Sequence, residues 1–203
     1  MKRDKEATKQ NLIAAVGTLV LREGFSAIGI NAVSKEAGVD KVLIYRYFGD
    51  LDGLLKAYIS GKDYFSNMSA IVSTMEEIRT VDDAVRIAKS IFVGQLKDIL
   101  SNQELREIVL WELQTANSAT AAVAAEREAQ GVLILQTIER LTKNTGIDIP
   151  AAAAIILGGV YYIVLRSKHV GIFNGIDITS PDGWLRIERS IEQLVELALR
   201  SSA

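Results

Sequence analysis

The chain has 203 residues, 49% hydrophobic and 24% charged, with a formal net charge of −2. That is enough for one large domain or two small ones, and it argues against wholesale disorder. It has no cysteine, which excludes a disulfide framework, a thiolate metal site and a cysteine nucleophile and fits a reducing cytoplasm. The opening MKRDKEATKQ is charged and lacks the apolar core of a secretory signal. The acidic balance speaks against a nucleic-acid partner, but its distribution softens that objection. Residues 1–62 hold 10 Lys/Arg against 7 Asp/Glu, whereas the remainder is net −5. Screening over about 8 Å lets a mildly basic N-terminal face act locally.

Apolar spacing at the helical period almost throughout predicts an all-α chain. The first helix is expected over Glu6–Glu23, with Leu12, Ile13, Val16, Leu19 and Val20 as its buried stripe. Gly24 follows as a helix-ending residue, and Phe25 can pack beneath it. Gly29 opens a short second helix in which Ile30, Val33 and Ala37 share a face. Gly38 ends it, and Asp40 is a suitable cap for a third helix over Lys41–Tyr47. Two short helices joined through Ala37-Gly38-Val39-Asp40 form a helix-turn-helix pattern or a plain αα-hairpin. In the third helix Val39, Ile44 and Phe48 turn inward, leaving Lys41, Val42, Leu43, Tyr45, Arg46 and Tyr47 outward. A helix that exposes aliphatic, aromatic and basic groups together is suited to meeting a partner. Tyrosine hydroxyls and basic groups match a phosphate-lined groove, and Val42 and Leu43 match thymine methyl groups. The alternative is that Tyr45 and Tyr47 only cover neighbouring helices.

The first-helix stripe ending in Arg22-Glu23-Gly24-Phe25, then Ile30, Val33, KEAGV at 35–39, Lys41, IYRYF at 44–48 and Leu54-Leu55 resemble the DNA-binding domain of TetR-family transcriptional regulators. The likeness spans about residues 8 to 58. It implies a three-helix DNA-binding domain over residues 1–50 and a larger helical effector-binding and dimerisation domain over 51–203. It also implies a recognition helix at 40–47, with Lys41, Val42 and Leu43 nearest the base edges. Tyr45 and Tyr47 would then touch phosphates, and Asn31 would reach backbone or a base. Several positions depart from the family pattern. Ile28-Gly29 stands where hydroxyl residues are common, and Ala32 removes a capping box. Val42-Leu43 replaces a Gly-Thr or Gly-Ser pair, which implies a different operator. Leu51 replaces a lysine between Asp50 and Asp52, so fewer phosphate contacts are expected on that edge.

Beyond residue 58 the pattern stays helical, with breaks near Thr80, Asn102, Asn117, Asn144–Pro150 and Gly171–Pro181. Residues 118–130 have high helix propensity, and 76–85 read as a solvated connection. The apolar run 151–165 is shorter than the roughly 20 residues of a membrane span, so a helix buried in protein is expected. Ser180-Pro181-Asp182 opens the last helix, where Trp184, Ile187, Ile191, Leu194 and Ala198 recur at helical steps. Gly158 and Gly159 in the preceding helix permit close approach of another helix. Both stripes fill their own core or form a dimer interface. The resemblance favours a homodimer built from the last two helices and bound to a palindromic operator. It also implies a pocket for a small effector, apolar or aromatic by composition, that shifts the dimer away from DNA. Tyr64, Phe65, Phe92, Trp111, Tyr161 and Tyr162 are the candidates to line it, with ordinary core as the alternative for each.

No phosphate loop, nucleophile arrangement or Glu-x-x-His pair is present, and His169 follows Arg166 and Lys168 near a helix end. The expectation is therefore a non-enzymatic cytoplasmic repressor without cofactor, metal or membrane partner. A helical dimeric sensor of a protein partner is the rival reading.

Overall fold

The structure is a computed structural model that describes residues 2–62, 66–114, 118–142 and 145–200. Helix α1 (Lys2–Glu23) is followed by a 3-10 turn at Phe25–Ala27, α2 (Ile30–Ala37), α3 (Val42–Phe48) and α4 (Leu51–Ser60). Then come α5 (Ser66–Ser73), a second turn at Met75–Glu77, α6 (Val81–Ser101), α7 (Gln103–Gln114) and α8 (Ser118–Leu141). Helix α9 (Ile149–Arg166), strands β1 (Ile172–Phe173) and β2 (Ile176–Asp177) and α10 (Pro181–Arg200) complete the order. The all-α class holds. The antiparallel pair β1–β2, with Phe173 opposite Ile176, falls in a segment where the sequence signalled only a break. The candidates Tyr64 and Phe65, and the breaks at Asn117 and Asn144, lie outside the described residues.

Two compact units form, one from Met1–Tyr64 with Gln103–Arg127 and one from Phe65–Asn102 with Glu128–Ala203. In the first, the expected α1 stripe of Leu12, Val16, Leu19 and Val20 is buried together with Val33, Ile44, Leu54 and Ile59. Gly38 adopts the left-handed conformation at φ 65, and its N–H closes α2 onto Ser34 and Lys35 carbonyls. Such a position suits glycine because a Cβ would be strained there. Asn11 Nδ2 donates to the Ala37 carbonyl at 2.8 Å and Ser34 Oγ to that of Val39 at 2.6 Å, so the turn after α2 is tied to α1. Helix α7 completes this unit. Trp111 stacks on Phe25 with centroids 4.4 Å apart and planes 5° from parallel. Gln103 Nε2 donates to the Leu21 carbonyl at 2.9 Å. The Tyr58 hydroxyl donates to Glu104 Oε1, and Lys62 Nζ donates to the other carboxylate oxygen at 3.0 Å. Burial pushes the Glu104 carboxyl above its ordinary pKa.

In the second unit α10 packs on α6 through Ile187, Ile191, Val195 and Leu199, each four residues after the last. Ion pairs Lys89–Glu196, Lys97–Glu188 and Arg200–Asp82 border that seam. Asp148 caps α9 by accepting from the Ala151 N–H at 3.0 Å, and Pro150 sits in the first turn. Helix α6 begins with a capping box. Thr80 Oγ1 accepts from the Asp83 N–H, and the Asp83 carboxylate accepts from the Thr80 N–H. The Thr80 hydroxyl, then Arg86 and two backbone N–H groups, hold the Asp83 carboxyl well below the usual carboxylate range. A depressed folded-state value contributes stability above the unfolded pKa of about 4, which is lost as pH falls through the folded value. Asp83→Asn should therefore lower the melting temperature at pH 7 and show a smaller deficit at pH 3. Equal deficits at the two pH values would contradict this origin.

Candidate nucleic-acid interface

Helix α3 starts one residue later than expected, yet Asp40 still serves its N-terminus. Its Oδ1 accepts from the Val42 N–H at 2.8 Å, and its carbonyl accepts from Leu43 N–H at 3.0 Å. Ile44 is fully buried and anchors the helix, with Val39 and Phe48 packed around it. Leu43 and Tyr47 also pack against this core and are half-buried, not outward as their neighbours suggested. The helical period explains the correction. Residues 43, 44, 47 and 48 lie on one side, and 41, 42, 45 and 46 on the other. Lys5 Nζ stands 5.6 Å from the Tyr47 ring centroid, so that ring is covered from α1.

The exposed face is therefore Lys41, Val42, Tyr45 and Arg46, with Val42 61% and Tyr45 51% exposed. Arg46, read from sequence as outward, stands one helical turn after Val42 on the same strip. Asn31 is exposed in the first turn of α2. Gly29 is the α2 N-cap in extended conformation without a side-chain cap, and Ile28 packs on the core where family members often carry a hydroxyl. Arg22 donates to Glu36 at 2.9 Å, fixing α1 to α2, and both Glu36 and Glu23 hold its guanidinium more firmly protonated.

The acidic edge has a structural task as well. Asp50 Oδ1 accepts from the Gly53 N–H at 2.7 Å and caps α4, while Asp52 pairs with Lys56 at 3.3 Å. Leu51, standing in place of a lysine, packs on the core. This leucine faces apolar neighbours and offers no charge to a phosphate.

In the second unit the candidate effector residues separate. Phe92 lines an apolar cavity of about 30 Å³ together with Ile138, Ile149, Ile156 and Leu199. Tyr161 donates from its hydroxyl to Gln95 Oε1 at 3.2 Å, and buried Gln95 donates to Met68 Sδ at 3.4 Å. The sequence reading missed Gln95, whose only signal is an amide among the apolar residues of α6. Tyr162 is exposed on the opposite side of α9 from the buried Val160 and Val164 pair, because consecutive helical residues point about 100° apart. Trp111 serves the core of the first unit.

The candidate dimer residues also divide. Ile187 and Ile191 belong to the inward face of α10, and Ala198 and Trp184 are half-buried. Leu194 is exposed, and Leu185 and Leu197 join it as exposed apolar residues of the same helix. The chosen stripe drifted by one step, since the i+4 series through Val195 and Leu199 is the one that faces α6. On α9, Ile155 is 76% exposed, and Ala151, Gly158 and Tyr162 are exposed with it at three- and four-residue steps. Gly159 is half-buried, and a Cβ on either glycine would meet open space. Of the whole helix only Ile149, Val160 and Val164 are buried.

Residues 9–58 match the N-terminal domain of the bacterial regulatory proteins of the tetR family. No curated protein matches the sequence. Among solved structures, FadR from Bacillus subtilis in complex with stearoyl-CoA is 16% identical, with a TM-score of 0.57 over 96% of this chain and 99% of that one. NalD of Pseudomonas aeruginosa, the secondary repressor of the MexAB-OprM multidrug efflux pump, is 16% identical with a TM-score of 0.61 over 97% and 98%. A TetR-family transcriptional regulator from Rhodococcus sp. is 16% identical with a TM-score of 0.63 over 95% and 99%. At these identities the likeness is one of fold, and it extends over nearly the whole chain.

Proposed function

We propose that this chain, whose residues 9–58 match the tetR family of bacterial regulatory proteins, is a ligand-responsive transcriptional repressor acting as a homodimer on a palindromic operator. The observation that carries this reading is the strip Lys41, Val42, Tyr45 and Arg46, exposed on a short helix whose other side is fixed in a core. A helix of that width enters the major groove, where Val42 can meet a thymine methyl while Lys41, Tyr45 and Arg46 meet phosphates or base acceptors. Asn31 and the half-buried Leu43 and Tyr47 flank that strip at the groove walls. Two such helices related by a two-fold axis would meet half-sites about 34 Å apart, or somewhat more.

The dimer reading is supported by the exposed apolar stripe of α9 and by Leu194 and Leu197 of α10. Among the described residues α9 is long and apolar enough to cross a membrane, but it packs along one side against α6 and α10. A matching apolar face on a second copy covers the other. Packing α9 and α10 against their symmetry mates makes a four-helix arrangement. The residues named for it are Gly158, Gly159, Leu194 and, at its margin, Trp184, with Ile187, Ile191 and Ala198 supporting it from within.

The effector reading places a small apolar or aromatic molecule beside Phe92, with Tyr161 and Gln95 as the polar contact. FadR in complex with stearoyl-CoA is consistent with an apolar guest in this fold. The apolar cavity at Phe92 is far below the roughly 300 Å³ that small-molecule pockets need, so binding there requires α9 or α10 to shift. Such a shift is what would change the spacing of two recognition helices.

A gel-shift with random duplex at low salt, followed by selection of the retained sequences, tests the core of this reading. A retarded species containing two copies on a palindrome is expected. The variant Ile155→Glu/Leu194→Glu should sediment as a folded monomer and bind the selected operator at least about a hundredfold more weakly, because the linkage of two half-sites is lost. Folded dimer that retards no duplex would sink the DNA reading and favour a protein partner.

A further inference from the structure

We propose that the β1–β2 hairpin is an arm of the interface between two copies of this chain, in which Ile172 and Phe173 carry the apolar stripe of α9 onto the second copy. This rests on the dimer reading above, but it concerns a feature outside the helices invoked there.

The hairpin is built to hold its shape. Asn174 at φ 47 and Gly175 at φ 74 form a two-residue turn of the kind that matches strand twist, and asparagine and glycine are the residues that tolerate it. Two residues per strand are too few to stand alone, and the chain anchors both ends. The Gly171 carbonyl accepts from the Ile178 N–H at 2.9 Å, and Ile178 is buried. Asp177 Oδ1 accepts from the Thr179 N–H and hydroxyl at 2.9 and 2.6 Å, which also depresses its pKa. The first turn of α10 lies against the same strand, since a Cβ at Gly183 would come within 1.7 Å of the Asp177 carbonyl oxygen.

Its position joins it to the exposed side of α9. Phe173 meets Tyr162 edge-on, with centroids 5.7 Å apart and an interplanar angle of 64°. The Arg166 guanidinium carbon lies 5.9 Å from the Tyr162 centroid and 6.0 Å from that of Phe173. One cation thus bridges both rings. Ile155, Gly158 and Tyr162 already form an exposed line along α9, and Phe173 prolongs it beyond the helix end. Ile172, 67% exposed, then projects into solvent.

A rigid apolar projection continuous with an apolar helix face needs an apolar occupant. Between Ile149 and Leu165 the helix carries no charge, and the open space beside Gly158 admits a second backbone closely. A two-fold contact uses one patch twice, so this uncharged stripe is its own complement. The second copy is therefore the occupant to which the surface is matched.

The test uses sedimentation equilibrium together with a label on Ile172→Cys, which would carry the chain's only thiol. With acrylodan attached, emission should shift to the blue as protein concentration crosses the dimerisation range. Separately, Ile172→Asp should weaken dimerisation by about tenfold or more, with an unchanged melting temperature in the monomer range. Ile172→Ser provides the same reading should the charged variant fold poorly. Dimer formation with a water-exposed label and unaltered dissociation in both variants would overturn the arm while leaving the dimer standing. A wild-type chain that stays monomeric at all concentrations would remove the dimer reading and the arm with it. A blue shift driven by phosphatidylcholine vesicles and not by protein concentration would also overturn the assignment to a second copy.

Discussion

Alanine at both Lys41 and Tyr45 should weaken binding to the selected operator about a hundredfold, with dimer mass and melting temperature unchanged. Both side chains are exposed on the strip of α3 that faces away from Ile44, so neither supports the fold. A charge-assisted or hydroxyl hydrogen bond to phosphate is worth about 1.5 kcal/mol, roughly tenfold in affinity for each residue. The two effects differ in kind. Lys41→Ala removes one neutralised phosphate and should flatten the log–log salt dependence by about 0.9, whereas Tyr45→Ala should leave that slope alone. Val42→Ala serves as the third arm of the same experiment, altering the preferred base and not the slope. Unchanged affinity in the double variant, measured by gel-shift or fluorescence anisotropy, would mean that another helix occupies the groove. Asp50 and Asp52, tied to the α4 cap and to Lys56, keep the adjoining edge acidic, so the wild-type slope should be modest.

Gly53→Ala should be the most damaging single methyl addition in the DNA-reading unit. A Cβ at residue 53 would lie 2.1 Å from the Phe48 carbonyl oxygen and 3.4 Å from Asp50 Oδ1. The obstacle is backbone at the end of α3, where it leads into α4, and it cannot yield without parting the two helices. A forced shift of this sort costs about 3 kcal/mol. The melting temperature of this unit should fall by several degrees, and operator affinity should drop even where the chain remains folded, since α3 hangs on Phe48 and Ile44. Thermal denaturation followed by circular dichroism, with Gly158→Ala as the comparison, checks it. A Cβ at Gly158 meets nothing within its own chain, so that variant should melt as the wild type does at concentrations where the chain is monomeric. Equal melting temperatures for Gly53→Ala and wild type would show that the junction is more pliable than its packing indicates.

The N-terminal third was legible because its signals are local. Gly38 ending α2, Asp40 at the start of α3 and the stripe from Leu12 to Val20 each act within one or two helical turns, and each took the place its chemistry indicates. The phase of α3 was legible only in part. A seven-residue helix offers two apolar flanks, and only packing against the core of the unit reveals that Leu43 and Tyr47 lean inward while Arg46 stays out. The same ambiguity displaced the α10 stripe. Leu194 and Val195 are equally apolar neighbours, and the choice between them is made by α6, a partner far away in sequence. The hairpin escaped because two-residue strands carry no alternation to detect, although Asn174-Gly175 was a turn signal in plain view. Gln95 and Tyr161 found each other across 66 residues, a pairing with no local trace.

The contribution of α7 to the first unit has a consequence for how such proteins can be reassembled. Phe25 rests on Trp111, and Tyr58 and Lys62 both hold Glu104, so the part that reads DNA is written in two separate stretches of the gene. Recombination that swapped only the first 64 residues with a relative would take the Phe25 ring from Trp111 and the Tyr58 and Lys62 donors from Glu104. Inheritance should therefore act on the two stretches together. Substitutions at Phe25 and Tyr58 should be accompanied by substitutions at Trp111 and Glu104, while Lys41 and Val42, exposed on α3, are left to vary alone.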